Sequence, residues 1–189
     1  MWDAQRVHLS DAEQRLLELT LEATRPGDSV LDLGCGTGRP IAQYVVARGL
    51  SVTGVDQAPG LLAIARERMP LEEWVESRLE EFEPEGQYGA AIAWDSLFHI
   101  PRERHAAILR RVRDALPPGR RLALTAGGSE HPPFTDTMFG ETFFYDSHAP
   151  EAIVDVLEQA GFQIVHAEFL NLPTTGRDKG RYAIVAGAV

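Results

Sequence analysis

The sequence has 189 residues and a formal net charge of −10, with 44% hydrophobic and 24% charged residues. This length and composition predict a single globular domain over 1–189 and exclude a largely disordered chain. The negative charge argues against nucleic acid as a partner, and no apolar run is long enough for a membrane span or a secretion signal. The lone Cys35 excludes an internal disulfide framework and favours the cytoplasm. The acidic surface suits a small-molecule partner, and we expect a monomer or a homodimer.

The first two-thirds of the chain alternate helical and strand-like patterns. Ser10 and Glu13 form a capping-box pattern ahead of spaced leucines, which predicts a helix over 11–24 in an N-terminal segment 1–25. Apolar runs then predict strands at 29–33, 51–55, 73–76, 90–94 and 121–125. Helical patterns between them predict helices at 40–48, 59–69 and 102–116. This alternation indicates a doubly wound α/β fold with a mostly parallel sheet covered on both faces.

The last third begins with a polar and aromatic segment, 127–148, which is long for a connector. Loops of this length often cover a binding site, so we predict a lid-like insertion; the alternative is an irregular strand and turn packed on the sheet. A helix at 150–160 and strands at 162–170 and 181–187 follow. The short link between these two strands favours a hairpin.

The strongest functional signal is a strand that enters a glycine-rich turn and then a helix. Gly34, Gly36 and Gly38 form this turn, where a side chain would collide with a ligand and where positive φ angles are often required. A lone turn of this kind is equally compatible with a purely structural connection. Arg39 stands where a dinucleotide-binding fingerprint has its third glycine, which disfavours NAD.

Asp56 ends the second strand about twenty residues after the turn. At this spacing a carboxylate accepts hydrogen bonds from ribose hydroxyls. The alternative is that Asp56 caps the helix beginning near Pro59, and the two roles are compatible through different atoms.

Five segments together resemble the class I S-adenosylmethionine-dependent methyltransferases. V-L-D-L-G-C-G-T-G (30–38) and G-V-D-Q-A-P-G-L-L-A-I-A-R (54–66) resemble the first two family motifs. The segments 90–95, 116–122 and 160–162 resemble the fourth strand, the entry to the fifth strand and the A-G-F before the sixth. The resemblance implies a Rossmann-like, seven-stranded sheet with an antiparallel last strand. It also implies S-adenosylmethionine as cofactor and S-adenosylhomocysteine as product.

The resemblance also implies which residues contact the cofactor. Gly34, Gly36 and Gly38 would make room for its methionine part, backbone groups near Cys35 would hold the amino and carboxylate ends, and Asp32 would hold the amino group or brace the turn. Asp56 would bind the ribose. The remaining cofactor candidates are Gln57, Arg78, Leu79 and Trp94. Arg78 departs from the family, where an acid often stands, and a surface role is its alternative. The Cys35 thiol is interpreted as a buried packing group, because no context for a nucleophile surrounds it.

The acceptor half of the site is predicted from the loop after the fourth strand and from the insertion 127–148. His99 is a candidate general base because its ordinary pKa lies near neutrality, with capping or binding of a backbone carbonyl as the alternative. Tyr145 is the second catalytic candidate, and Glu141, Phe143 and His148 are further acceptor-side candidates. The scattered histidines predict no metal site. The expected activity is methyl transfer to a small molecule, and the alternative is a non-catalytic protein that binds S-adenosylmethionine or S-adenosylhomocysteine.

Overall fold

The computed structural model describes residues 7–138, 140–175 and 178–189. Ser10 begins the first helix: its hydroxyl accepts from the Glu13 backbone N–H, and the Glu13 carboxylate accepts from the Ser10 backbone N–H, so the predicted capping box is present. The helix ends at Leu21, three residues before the predicted end. The helices are α1 (Asp11–Leu21), α2 (Ile41–Val46), α3 (Pro59–Arg68), α4 (Arg102–Asp114) and α5 (Pro150–Gln159).

Seven strands form one sheet, and two more form a separate hairpin. The strands are β1 (Ser29–Leu33), β2 (Ser51–Asp56), β3 (Glu73–Glu76), β4 (Ala90–Ala93), β5 (Arg121–Gly127), β6 (Phe134–Met138), β7 (Glu141–Tyr145), β8 (Phe162–Asn171) and β9 (Arg181–Ala188). The order in the large sheet is β3-β2-β1-β4-β5-β9-β8. Every pairing from β3 to β5 is parallel, whereas β9 runs antiparallel to both β5 and β8. This confirms the predicted seven-stranded sheet with its antiparallel last strand.

Apolar side chains cover both faces of the sheet. On one face α4 and α5 pack through residues such as Ile108 and Leu157. On the other face α1, α2 and α3 pack through Leu17, Val45 and Leu62. Strands β1 and β4 are buried on both sides, which explains why their sequences are apolar almost throughout. The doubly wound architecture therefore follows from where the apolar residues lie.

The insertion 127–148 contains a two-stranded antiparallel hairpin, so it has regular strands, as the alternative of a strand and turn anticipated in part, and its role as a lid stays a prediction. Strand β6 pairs with β7 from Phe134 opposite Tyr145 to Met138 opposite Glu141. Threonine and aromatic residues, which favour a pleated surface, make up most of both strands. None of the described side chains within the two strands is fully buried, so no continuous apolar run marked them in the sequence.

Candidate functional site

The predicted ligand residues lie at one edge of the sheet. Strand β1 is flanked by β2 on one side and β4 on the other, and all three run parallel. Gly34, Asp56 and Asp95 stand at or just after the carboxyl ends of these strands. The chain crosses from one side of β1 to the other at this point, and open α/β sheets bind ligands in the crevice that such a crossing leaves.

The glycine turn requires glycine for its backbone conformation. Gly34, Gly36 and Gly38 have φ angles of +80°, +56° and +75°, a region that side chains rarely allow. A Cβ on Gly34 would lie 2.3 Å from Ser96 Cβ, and a Cβ on Gly38 would lie 2.3 Å from the Met69 methyl carbon. The predicted need for positive φ is thus confirmed, and close approach of the protein's own side chains adds a second reason for two of the glycines.

The Asp56 carboxylate connects the glycine turn with the start of α3 through two hydrogen bonds. Its Oδ2 accepts from the Gly36 backbone N–H at 2.9 Å, and its Oδ1 accepts from the Ala58 backbone N–H at 2.9 Å. The residue that directly caps α3 is Ala58, so Asp56 orders the helix entry from two residues upstream. An ionised carboxylate has about four acceptor positions, which leaves room for ribose hydroxyls in addition to these two bonds. Gln57 follows on the surface.

Two buried polar atoms near this turn have no hydrogen-bond partner among the described residues: Asp32 Oδ2 and Ser96 Oγ. Asp32 is 2% exposed and lies on β1, two residues before Gly34. Burial, reinforced by the charge of Asp56, raises the pKa of the Asp32 carboxyl to about 7. An unpartnered buried carboxylate oxygen beside a glycine turn is suited to a cationic group such as a ligand ammonium, because ionisation without such a partner is costly.

The other predicted cofactor residues differ in their surroundings. The Arg78 side chain is 59% exposed and pairs with Glu80 at 2.9 Å, whereas Leu79 is buried in the core. Trp94 is also buried, and its indole N–H donates to Glu13 Oε1 at 3.1 Å. Cys35 is buried, and burial raises the pKa of its thiol, which agrees with a packing role. The assignment of all four residues to the cofactor stays a prediction.

His99 lies between the loop after β4 and the hairpin. Its Nδ1 is 2.9 Å from the Phe144 carbonyl oxygen of β7. A carbonyl only accepts, so Nδ1 carries the proton and the neutral ring keeps its lone pair on Nε2. Burial lowers the pKa of His99, more than the hydrogen bond to Phe144 raises it. The ring is therefore neutral at pH 7, and it binds a backbone carbonyl, as the alternative interpretation predicted, while Nε2 keeps the capacity to accept a proton.

Aromatic rings from the hairpin surround His99. Its ring centroid is 4.8 Å from that of Tyr145 and 5.3 Å from that of Phe143. Tyr145 also stacks with Phe134 at 5.1 Å and with Phe98 at 6.3 Å. The structure thus brings the two catalytic candidates, His99 and Tyr145, into contact.

Buried polar residues attach the hairpin to the main sheet. The Asp146 backbone N–H donates to the Phe98 carbonyl at 2.9 Å, and the Asp146 carboxylate accepts from the Arg102 side chain at 2.5 Å. Burial opposes ionisation of Asp146, but the bonds and charge of Arg102 outweigh it and lower the Asp146 pKa. At the base of the insertion, the Gly127 backbone N–H donates to Ser147 Oγ at 2.8 Å.

Two other acceptor-side candidates, His148 and Glu141, lie apart from the aromatic rings around His99. His148 Nε2 is 3.2 Å from the Arg102 carbonyl oxygen, and its ring packs against His105. Glu141 is exposed at the tip of the hairpin, opposite Met138. Of the four candidates from the insertion, Tyr145 and Phe143 are the ones that contact His99.

Sequence reasoning did not single out Ser96, Arg181 or Thr125. Arg181, at the start of β9, forms a two-point ion pair with Asp95, and Thr125 on β5 holds the Asp95 backbone N–H at 2.7 Å. The Asp95 carboxylate accepts hydrogen bonds from both residues. Its φ of +52° is unusual for a residue other than glycine, but nothing in the local sequence signals that angle.

Over the described ranges, no helix is long and apolar enough to cross a membrane. Within the same ranges, no three His, Cys, Asp or Glu side chains are grouped in a way that could hold a metal ion.

Residues 30–119 match a family described as a methyltransferase domain. The chain is 29% identical over 132 residues to 27-O-demethylrifamycin SV methyltransferase of Amycolatopsis mediterranei, covering 65% of this chain and 48% of that protein. It is 32% identical over 127 residues to (+)-O-methylkolavelool synthase of Herpetosiphon aurantiacus, covering 62% and 44%. The chain therefore spans about half the length of the curated relatives it matches.

A solved structure of a SAM-dependent methyltransferase from Methanosarcina mazei has the same fold. The TM-score is 0.78 at 20% identity, and the superposition covers 97% of this chain and 99% of that one. The shared architecture thus includes the antiparallel C-terminal strands as well as the parallel strands that carry the glycine turn.

Proposed function

We propose that this chain, which belongs to the class I S-adenosylmethionine-dependent methyltransferases, transfers the methyl group of S-adenosylmethionine to a small organic acceptor and forms S-adenosylhomocysteine. The observation that carries the proposal is one sheet edge that combines a glycine turn, a buried unpartnered carboxylate oxygen and a neutral histidine among aromatic rings. Two relatives, named 27-O-demethylrifamycin SV methyltransferase and (+)-O-methylkolavelool synthase, support a small acceptor. The net charge of −10 also disfavours a nucleic-acid acceptor.

The cofactor half of the site would be held by residues from β1, β2 and the segment after β3. Asp32 would pair with the amino group of the methionine part, while Gly34, Gly36 and Gly38 leave space beside it. Backbone groups near Cys35 complete that end, and Asp56 would accept from the ribose hydroxyls. The adenine and its surroundings would contact Gln57, Arg78, Leu79 and Trp94.

When bound, S-adenosylmethionine supplies a methyl group that is already activated on a sulfonium. The protein's task is then to orient the acceptor atom in line with that methyl and to exclude water. His99 Nε2 would take the proton that an acceptor hydroxyl or amine loses. The Tyr145 and Phe143 rings would wall the acceptor, and their electron-rich faces favour a positively charged group.

Replacing Asp56 with alanine is expected to weaken binding of S-adenosylmethionine by about 1.5 to 3 kcal/mol, because bonds to a charged acceptor are lost. Titration calorimetry measures the change. The matched variant Asp56→Asn keeps one acceptor oxygen and should fall between the wild type and Asp56→Ala. If Asp56→Ala lowers thermal stability but binds S-adenosylmethionine normally, the carboxylate only orders the entry to α3.

A transfer assay tests the function itself. The wild type, given methyl-labelled S-adenosylmethionine and a panel of phenols, hydroxylated terpenoids and amines, should label at least one acceptor. For an acceptor that must lose a proton, His99→Ala should lower turnover about 10²-fold with little change in cofactor affinity. Tyr145→Phe keeps the ring and tests the hydroxyl alone.

The pH profile distinguishes a base from a structural histidine. Because burial lowers the pKa of His99, turnover should rise with pH and reach half its maximum below the ordinary imidazole value of 6.5. A profile that is unchanged in His99→Ala, or full turnover of that variant, would remove His99 from catalysis. Binding of S-adenosylmethionine without transfer to any acceptor would favour a non-catalytic binding protein.

A further inference from the structure

Arg181 connects the last strand of the sheet to the loop that follows β4. It lies opposite Gly127, at the carboxyl end of β5. Its Nε is 2.9 Å from Asp95 Oδ1 and its Nη2 is 2.7 Å from Asp95 Oδ2. This is the two-point geometry in which a planar guanidinium fixes both the position and the orientation of a carboxylate.

Asp95 has an uncommon backbone conformation, and its neighbours hold it there. Its φ of +52° lies in the left-handed region, where residues other than glycine are strained. The Asp95 backbone N–H donates to Thr125 Oγ1 at 2.7 Å, and that hydroxyl donates back to Asp95 Oδ1 at 3.1 Å. Arg181 and Thr125 therefore hold Asp95 from two neighbouring strands.

Glu13 extends the same network to α1. The Glu13 side chain is buried, and its Oε1 accepts from the Trp94 indole N–H at 3.1 Å and from Arg181 Nη2 at 3.4 Å. Two consecutive residues, Trp94 and Asp95, are thus attached to charged partners just as β4 ends.

The left-handed conformation of Asp95 directs the following residues toward both the cofactor half and the acceptor half of the candidate site. Directly after it, Ser96 lies so close to Gly34 that a Cβ on that glycine would be 2.3 Å from Ser96 Cβ. The next three residues form a short 3-10 helix, Leu97–His99. That helix carries His99 and presents the Phe98 carbonyl to the hairpin.

We propose that Arg181 is a positioning residue for methyl transfer: it holds Asp95 in the left-handed conformation that seats Ser96 against the glycine turn and His99 against the hairpin. Arg181 does so through Asp95, without contact with the reacting groups. Its effect on turnover rests on the proposed function, whereas its effect on the loop conformation does not.

Hydrogen exchange tests the conformational part. The amides of Asp95, His99 and Ile100 all donate hydrogen bonds in this loop. In Arg181→Ala they should exchange at least tenfold faster than in the wild type, while the amides of β1 and β2 keep their rates. Arg181→Lys keeps the charge but lacks the two-point geometry, so it should give an intermediate rate and serves as the folded variant if Arg181→Ala is unstable.

Arg121→Ala is the matched control. Arg121 is also a strand arginine paired with a glutamate, Glu22 at the C-terminal end of α1, but it lies at the opposite end of β5. This variant should leave exchange in the loop at the wild-type rate. Unchanged exchange in Arg181→Ala and Arg181→Lys, or equal acceleration in Arg121→Ala, would overturn the proposal.

A second background tests whether Arg181 acts through Asp95, because Asp95→Gly removes the carboxylate that Arg181 binds. Asp95→Gly reaches a positive φ without strain, so adding Arg181→Ala to it should change loop exchange less than twofold. A tenfold change in that background would mean that Arg181 acts by another route.

A separate experiment compares the turnover of the Arg181 variant with its binding of S-adenosylmethionine. Arg181→Ala should lower kcat at least tenfold per folded molecule while the Kd for S-adenosylmethionine changes less than threefold, since Asp56 and the turn remain. Equal losses in kcat and in folded fraction would reduce Arg181 to a stabilising residue. If the wild type transfers no methyl group, the proposed function fails, and the exchange experiment still decides whether Arg181 fixes the loop.

Discussion

Asp32→Asn is expected to stabilise the protein above pH 7 and to lose affinity for S-adenosylmethionine. The wild-type carboxyl keeps its proton until about pH 7 in the folded state, whereas in the unfolded chain it ionises near 3.8. The native state therefore binds more protons between these values, and the free energy of unfolding falls as the pH rises through this window. Above pH 7, ionisation of the buried Asp32 lowers the free energy of unfolding by on the order of 4 kcal/mol.

Urea denaturation at pH 4, 6 and 8 measures this effect. The stability of Asp32→Asn should exceed that of the wild type at pH 8, and the difference should shrink toward pH 4, because asparagine does not ionise. Asp155→Asn, on the exposed side of α5, is the control and should show no such trend. Equal stability of Asp32→Asn and wild type at pH 8 would show that other groups of the folded protein already offset the cost of the buried Asp32 charge.

The affinity for S-adenosylmethionine should rise with pH, whereas the stability of the wild type falls. An ammonium group beside Asp32 favours the ionised carboxylate, so wild-type affinity for S-adenosylmethionine should increase from pH 6 to pH 8. Asp32→Asn should bind at least about tenfold more weakly at pH 8, a loss of about 1.4 kcal/mol, within the range for a charged hydrogen bond. Comparing the two proteins at each pH cancels the ligand's own ionisation. Normal binding by the variant would leave Asp32 with the role of bracing the turn.

Gly36→Val is expected to abolish binding of S-adenosylmethionine. Gly36 has a φ of +56°, and its backbone N–H donates to Asp56. A β-branched residue is poorly accommodated there, and its side chain would occupy the space proposed for the ligand. Calorimetry should show no heat of binding for either S-adenosylmethionine or S-adenosylhomocysteine.

Gly27→Val separates ligand exclusion from backbone strain. Gly27 also has a positive φ, +85°, but a Cβ there would meet no atom within 4 Å. Both variants should lose about 1 to 2 kcal/mol of stability from the left-handed conformation. Only Gly36→Val should lose binding, and wild-type affinity in a folded Gly36→Val protein would place the ligand elsewhere.

Local sequence signals were sufficient to predict the glycine turn and the position of Asp56 beside it. The glycines at 34, 36 and 38 need positive φ, the apolar strands before them must be buried, and parallel strands bring Asp56 beside the turn. Each of these requirements acts over a few residues or through the regular geometry of a sheet. For that reason they can be recognised in a single sequence.

Interactions between distant residues could not be recognised in that way. Arg181 binds Asp95 across 86 positions and Glu13 across 168, and no spacing rule connects an arginine with its carboxylate over such separations. The hairpin was missed for a different reason. Strands β6 and β7 consist largely of threonine and aromatic residues with an acidic residue in each and no buried apolar run, so the signal of a core strand was absent.

The two ends of the insertion 127–148 lie next to each other, and this has an evolutionary consequence. Gly127 and Ser147 meet through one hydrogen bond, so the chain leaves the sheet and returns to it at nearly the same point. A segment with adjacent ends can be lengthened, shortened or exchanged without moving the strands that hold the glycine turn. Under the proposed function, exchanging the hairpin would alter the acceptor side of the site while the glycine turn stays in place, provided that the Asp146 contacts with Phe98 and Arg102 are kept.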